Sequence, residues 1–195
     1  MSVIRAFIAI ELTTEIQNRL DEITAAFKRQ LDGVPVRWVP AGNIHLTLKF
    51  LGDVSVASLK VLTDMLKTEV AGHRPFEVSV GGAGAFPNNH RPRVIWVGVE
   101  APSELGLIQS GVEAAMARIG YPREDRPFSP HLTVGRVSRN ANSDDIRLIS
   151  KALDASRVGF LGAACVQEIC LFRSDLRPNG AVYTRIYNAP LNLAD

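Results

Sequence analysis

The tetrapeptide His45-Leu46-Thr47-Leu48 returns as His131-Leu132-Thr133-Val134, and no other feature of the 195-residue chain restricts its fold as much. Each copy lies in apolar sequence and reads as a short β-strand, on which successive side chains point to opposite faces. His45 then shares a face with Thr47, and His131 with Thr133, while the aliphatic residues between them turn to the other side. Along each strand an imidazole stands beside a hydroxyl about 6–7 Å further on. Two of the four histidines in the chain are committed to this pattern. A fold that buries both aliphatic faces and brings both polar faces to one place satisfies the two copies together.

The sequence around the motifs completes an outline. Residues 3–10 read as an opening strand, rich in β-branched and aromatic residues. Thr13 or Thr14 caps a helix whose stripe runs from Ile16 through Leu20, Ile23 and Phe27 to Leu31, ended by Gly33 and Pro35. Residues 37–39 are a short extended piece, 40–43 a turn, and 44–51 the first motif strand. Ser55 caps a second helix reaching Ala71. Residues 76–86 alternate loosely and carry Gly81, Gly82 and Gly84, the mark of a bent or bulged strand. No Lys-Ser/Thr follows them, as a phosphate-binding loop requires. Residues 94–99 form a strand, 103–119 a third helix, and 131–138 the second motif strand. Asn142 or Ser143 caps a fourth helix ending near Ser156. Strands near 164–173 and 181–188 follow, joined by a hairpin at 175–180.

Strand, helix, motif strand, helix, strand thus occurs in each half of the chain. The expected fold is α+β and bilobal, with two lobes related by a pseudo-two-fold axis. Antiparallel sheets line a central cleft and helices lie outside. In sequence order the lobes are roughly 1–92 and 93–195, with strand exchange between them open. No linker of low complexity separates them, so 1–195 reads as a single domain.

With 46% hydrophobic and 22% charged residues, the chain has the material for a large core. A formal net charge of +2 argues nothing by itself, although Arg91 with Arg93 and Arg123 with Arg126 make local positive fields. Arg5 and Glu11 break the apolar runs near the N-terminus, against a signal peptide or a membrane span. Cys165 and Cys170 read as reduced thiols. The expected location is the cytoplasm and the expected state a monomer.

Two imidazoles across a cleft suit general acid–base chemistry. With an ordinary pKa of about 6.5, one can be neutral and the other charged near neutrality. Thr47 and Thr133 add donors for non-bridging phosphoryl oxygens, and the combination requires no metal or other cofactor. His-Glu-x-x-His spacing and carboxylate clusters are missing from the sequence. A phosphodiester is the natural substrate, because it offers a leaving alkoxide, a face for in-line water and two anionic oxygens.

Two segments then carry a family resemblance. Arg37-Trp38-Val39 with Asn43-Ile44-His45-Leu46-Thr47-Leu48-Lys49-Phe50-Leu51-Gly52 resembles the 2H phosphoesterases, as does the run from Arg126-Pro127-Phe128-Ser129-Pro130-His131 to Arg136. In particular the chain is similar to bacterial and archaeal RNA 2′,3′-cyclic phosphodiesterases, also called 2′-5′ RNA ligase-like proteins, over essentially its whole length. The resemblance implies hydrolysis of RNA 2′,3′-cyclic phosphate ends, or small cyclic nucleotides, to 2′-phosphates. It implies His45 as proton donor to the leaving 3′ oxygen and His131 as proton acceptor activating water. Thr47 and Thr133 would hold the phosphate, and 2′-5′ RNA joining is the reverse reaction.

Arg136 matches a family arginine near the phosphate, yet on an unbroken strand it faces away from His131; a bulge at Gly135 would re-aim it. Lys49 shares the parity of His45 and Thr47 and is a further phosphate candidate. Trp38 and Phe128 could stack a base or pack the cleft wall. His73 and His90 read as surface residues. Two other readings use the same residues: a non-catalytic RNA-binding module in the cleft, and a metal-dependent hydrolase with His45 and His131 as ligands.

Overall fold

The computed structural model describes residues 2–178 and 180–192. Among them are nine strands and four α-helices in the order β1 (Val3–Ile10), α1 (Thr14–Gln30), β2 (Val36–Trp38), β3 (Leu46–Ser55), α2 (Leu59–Val70), β4 (Phe76–Phe86), β5 (Val94–Glu100), α3 (Ser103–Arg118), β6 (His131–Val137), α4 (Ser143–Ala155), β7 (Phe160–Val166), β8 (Glu168–Arg177) and β9 (Gly180–Pro190). Helix starts follow local chemistry. Thr13 Oγ1 accepts from the Ile16 amide to open α1. Asn142 and Asp145 form a reciprocal capping box at α4. A 3-10 turn at Val56–Ser58 delays α2 to Leu59, so Ser55 precedes that turn rather than the helix.

All pairings are antiparallel, in the order β7-β4-β5-β6-β3-β1-β8-β9, with β2 also paired to β6. The two sheets read from the sequence meet at their inner edges through one pair, Leu46 opposite Leu132. That pair stands at the centre of the motif repeat and marks the pseudo-two-fold axis. On one side lie β3, β1, β8 and β9; on the other lie β6, β5, β4 and β7. Strand β4, from the first half of the chain, belongs to the second group, and β8 and β9 make the opposite exchange.

The stretch near 164–173, expected as one strand, belongs to two. It divides at Gln167 into β7, at one outer edge, and β8, which joins β1 in the other half. Cys165 and Cys170 consequently lie in different halves, both as free thiols. Strand β4 is bulged around Gly82, whose φ of +69° suits glycine. The β8–β9 pairing closes at Arg177 opposite Gly180; Asn179 of the expected hairpin turn lies outside the described residues.

One face of the sheet supports the main core, which includes Ile8, Leu46, Ile95, Leu132 and Ile169, all at most 1% exposed, together with Ile16, Leu66, Ile108 and Ile149 of the helices. A second, small cluster of Phe7, Ala9, Cys170 and Phe172 lies on the opposite face, which is the cleft. No helix of the described residues is long and apolar enough to cross a membrane.

Candidate active site

The motif repeat produces the same local arrangement twice. His45 Nδ1 lies 2.9 Å from the Asn43 carbonyl, and His131 Nδ1 lies 2.7 Å from the Ser129 carbonyl. A carbonyl only accepts, so Nδ1 is the protonated nitrogen in both neutral rings and Nε2 carries the lone pair. The Asn43 side chain donates to the Ala181 carbonyl of β9 at 2.8 Å, tying the approach to His45 to the far end of its half-sheet. Carrying the Leu46–Leu132 register one residue either way sets His45 beside Thr133 and His131 beside Thr47. Imidazoles and hydroxyls from both copies therefore meet on one face around the axis.

Each strand then slips by one residue at the same place in the motif. On β3, Thr47 opposes Ala9 but Lys49 opposes Ile8, leaving Leu48 as the extra residue. On β6, Thr133 opposes Trp96 but Gly135 opposes Ile95, leaving Val134 extra. A bulge of this kind reverses the facing of everything beyond it. Arg136 comes back to the face of Thr133, opposite Val94. Lys49 goes the other way. Its ammonium is buried, 2.6 Å from Glu113 Oε2 and 2.8 Å from the Pro122 carbonyl, so it is absent from the cleft. Phe50, to which the sequence pattern assigns no role, takes the cleft position on β3, 64% exposed, with its ring centre 6.2 Å from that of Phe7.

Of the two roles open to the aromatic candidates, stacking a base or packing the wall, both residues are found in packing contacts. Trp38 pairs with Gly135, on the core face of β6, and stacks on Phe27 of α1 at 6.3 Å. It is a packing residue. Phe128 is half-buried against the main core. The residue beside Trp38 matters more, because Arg37 lies directly opposite Arg136. Arg37, Arg93, Arg136 and Arg139 line an open cavity of about 830 Å³ next to the cleft. Only parity, read relative to the bulge, could have singled out Arg37.

The two histidines differ in their surroundings. His45 stacks on Phe7 at 4.5 Å, with Phe172 at 6.3 Å behind and the edge of Tyr183 at 5.2 Å. Burial pushes its pKa down to about 4, with the Arg136 charge adding to the effect and the Asn43 carbonyl opposing it. His131 has one edge contact, to Phe86 at 4.8 Å, and lies below its ordinary value for the same reasons: desolvation first, then Arg136. In the free site both rings are neutral at pH 7. A bound phosphate anion would oppose the Arg136 charge and so favour protonation, with the desolvation of each ring acting the other way. Among the described residues no three His, Cys, Asp or Glu side chains converge as a metal site.

The fold and these four groups define the two-histidine class of phosphoesterases. A sequence model of LigT-like phosphoesterases matches the chain twice, over residues 10–96 and 97–183, one match per motif. The chain is 35% identical over 181 residues to the RNA 2′,3′-cyclic phosphodiesterase of Methanothermobacter thermautotrophicus, covering 93% of this chain and 95% of that one. A second RNA 2′,3′-cyclic phosphodiesterase, from Archaeoglobus fulgidus, is 35% identical over 180 residues, 92% of this chain and 96% of that protein. The structure of this chain is similar to that of Escherichia coli LigT complexed with 3′-AMP, with a TM-score of 0.77 and 27% identity over 98% of this chain and 100% of that one. TT0787 of Thermus thermophilus gives a TM-score of 0.78 and 28% identity over 96% and 97%. The chain belongs to the LigT-like phosphoesterase family.

Proposed function

We propose that this protein hydrolyses 2′,3′-cyclic phosphate ends of RNA, and small cyclic nucleotides, to 2′-phosphates without a metal. The observation that carries the reading is the duplicated histidine geometry: two rings, each fixed through Nδ1 by a carbonyl two residues back, each free to use Nε2. The names of the relatives agree with it.

His131 Nε2 takes a proton from water as its oxygen bonds to phosphorus. His45, protonated in the complex, gives its proton to O3′ as the P–O3′ bond breaks. Thr47 and Thr133 donate to the non-bridging oxygens, and Arg136 offsets the charge gathering there. The net result is one proton moved from His45 to His131, which solvent exchange resets. The division of roles follows the family pattern given above. An RNA 5′-hydroxyl in place of water yields the 2′-5′ joining reaction with the same groups. Both histidines come from one chain, so a monomer suffices, and the two free thiols accord with a cytoplasmic setting.

The test is product analysis on an RNA oligonucleotide ending in a 2′,3′-cyclic phosphate, with chelator present. Wild type should yield a 2′-phosphate, and His45→Ala or His131→Ala should each abolish the yield. A 3′-phosphate product would reverse the choice of leaving oxygen, and loss of turnover on chelation would favour metal chemistry.

A further inference from the structure

The arginine cavity is larger than one phosphate requires, and its charges are unmatched. Arg19, Arg126, Arg147, Arg173 and Arg185 each sit within 4 Å of a carboxylate. Among the described residues Arg37, Arg93, Arg136 and Arg139, like most of the other arginines, form no such pair; what sets them apart is that they share one cavity and that no acidic side chain of the described residues lines it. Arg37 and Arg136 are moreover directly opposite each other across the β2–β6 ladder, an arrangement of like charges that costs stability. In a chain of net charge +2 this concentration is local and specific. It is also rigidly framed. The Val137 amide donates to the Arg93 carbonyl at 3.0 Å, and the Ser138 amide donates to the Pro35 carbonyl at 2.8 Å.

Position separates the four. Arg136 is on the face of Thr133, close enough to lower both histidines. Arg37 lies one strand further out, and Arg93 and Arg139 stand at the strand ends. A run of guanidiniums leading away from a site for one phosphate fits a chain of phosphates, which arginine forks bind well.

We propose that this cavity is a subsite for the internucleotide phosphates on the 5′ side of the cyclic end, so that the preferred substrate is an RNA chain rather than an isolated cyclic nucleotide. The inference rests on the hydrolytic reading above. Arg37 and Arg139 bind the chain, away from the reacting phosphorus.

The experiment compares a nucleoside 2′,3′-cyclic monophosphate with a short RNA oligonucleotide bearing the same 3′-terminal cyclic nucleotide. Wild type should have the higher kcat/KM on the oligonucleotide. The exposed pair Arg37→Ala/Arg139→Ala should lose that advantage, about tenfold or more, through KM, while turnover of the mononucleotide is unchanged. For single strands log K falls with log salt by about 0.7 per phosphate neutralised, so the double variant should flatten the oligonucleotide's salt slope by about 1.4. Equal losses on both substrates, or no loss on either, would overturn the subsite. Fluorescence anisotropy with a 2′-phosphate-ended oligonucleotide reads the same salt slope without turnover. It keeps the test decisive even if neither substrate is hydrolysed, an outcome that counts against the hydrolytic reading instead.

Discussion

The half-sheet around His45 and the half-sheet around His131 start from the same four residues and end with different chemistry. Both histidines are held the same way, and both strands bulge three residues later. Beyond the bulge the halves diverge. The cleft position is Phe50 on β3 and Arg136 on β6; the inward position is Lys49, paired to Glu113, on β3 and Gly135, under Trp38, on β6. His45 sits among Phe7, Phe172 and Tyr183, whereas the one aromatic ring against His131 among the described residues is that of Phe86. Duplication supplies two imidazoles held in the same local geometry. Substitution around them makes one end of the cleft apolar and the other cationic, and a substrate with an apolar base and a charged backbone can then bind in one orientation.

The comparison can be broken most sharply at the histidines. His45→Ala and His131→Ala should each lower kcat by about 10²–10⁴, and the double variant should fall little further, because the two act in one step. Additive losses in single-turnover assays would mean two independent roles.

The inward positions come next. Glu113→Ala leaves Lys49 as a buried, unpaired charge and removes the acceptor for the Glu124 amide. A loss of about 3–5 kcal/mol is expected in urea unfolding. A value below about 1 kcal/mol would mean that Lys49 swings out to the cleft, where the parity of an unbulged strand would have put it.

The unequal burial of the histidines has a pH signature. The pKa of His45 is about 4 in the folded protein and near the ordinary 6.5 when unfolded. Between these values the unfolded chain binds a proton that the folded chain refuses. The contribution is therefore complete above about pH 6.5, is lost as pH falls toward 4, and levels off below. It amounts to about 3 kcal/mol. His45→Gln should flatten this acid limb in thermal melts, and His131→Gln should flatten it less. In NMR titrations His45 should titrate below His131, and Arg136→Gln should raise both. The reverse order would assign the deeper site to the wrong half.

The smallest effect is expected at Gly135. A Cβ there would lie 3.0 Å from both the Trp38 ring and Val36. Gly135→Ala should cost about 1–3 kcal/mol by crowding β2. Because β2 carries Arg37, it should also weaken oligonucleotide binding more than mononucleotide turnover. Unchanged stability would show that β2 gives way freely.

Much of this was legible locally. Capping residues and apolar stripes located α1, α3 and α4 within a residue or so, and the repeated motif pointed to all four central groups of the cleft. The errors share a cause. Residues 164–173 carry no turn signal at Gln167, so the end of β7 and most of β8, in different half-sheets, read as one strand. An uninterrupted period of two places Lys49 in the cleft, and the slip at Leu48 reverses that period. For Trp38 the sequence leaves base stacking and packing both open, and only the Trp38–Gly135 pairing turns it to the core and its neighbour Arg37 to the cleft.

The amino-acid sequence by itself determined which imidazoles and hydroxyls stand together, that they come in two copies, and which side chains share a face over three residues of strand. Those properties depend on covalent order and on the alternation of an extended backbone. The tertiary structure alone decided what lies beyond the bulges: Lys49 inward, Arg136 and Phe50 outward, and four arginines from separate segments around one cavity. Register between strands distant in sequence is set by hydrogen-bond ladders and core packing across the whole sheet. A one-residue slip there reverses every face after it, while the local sequence pattern stays the same.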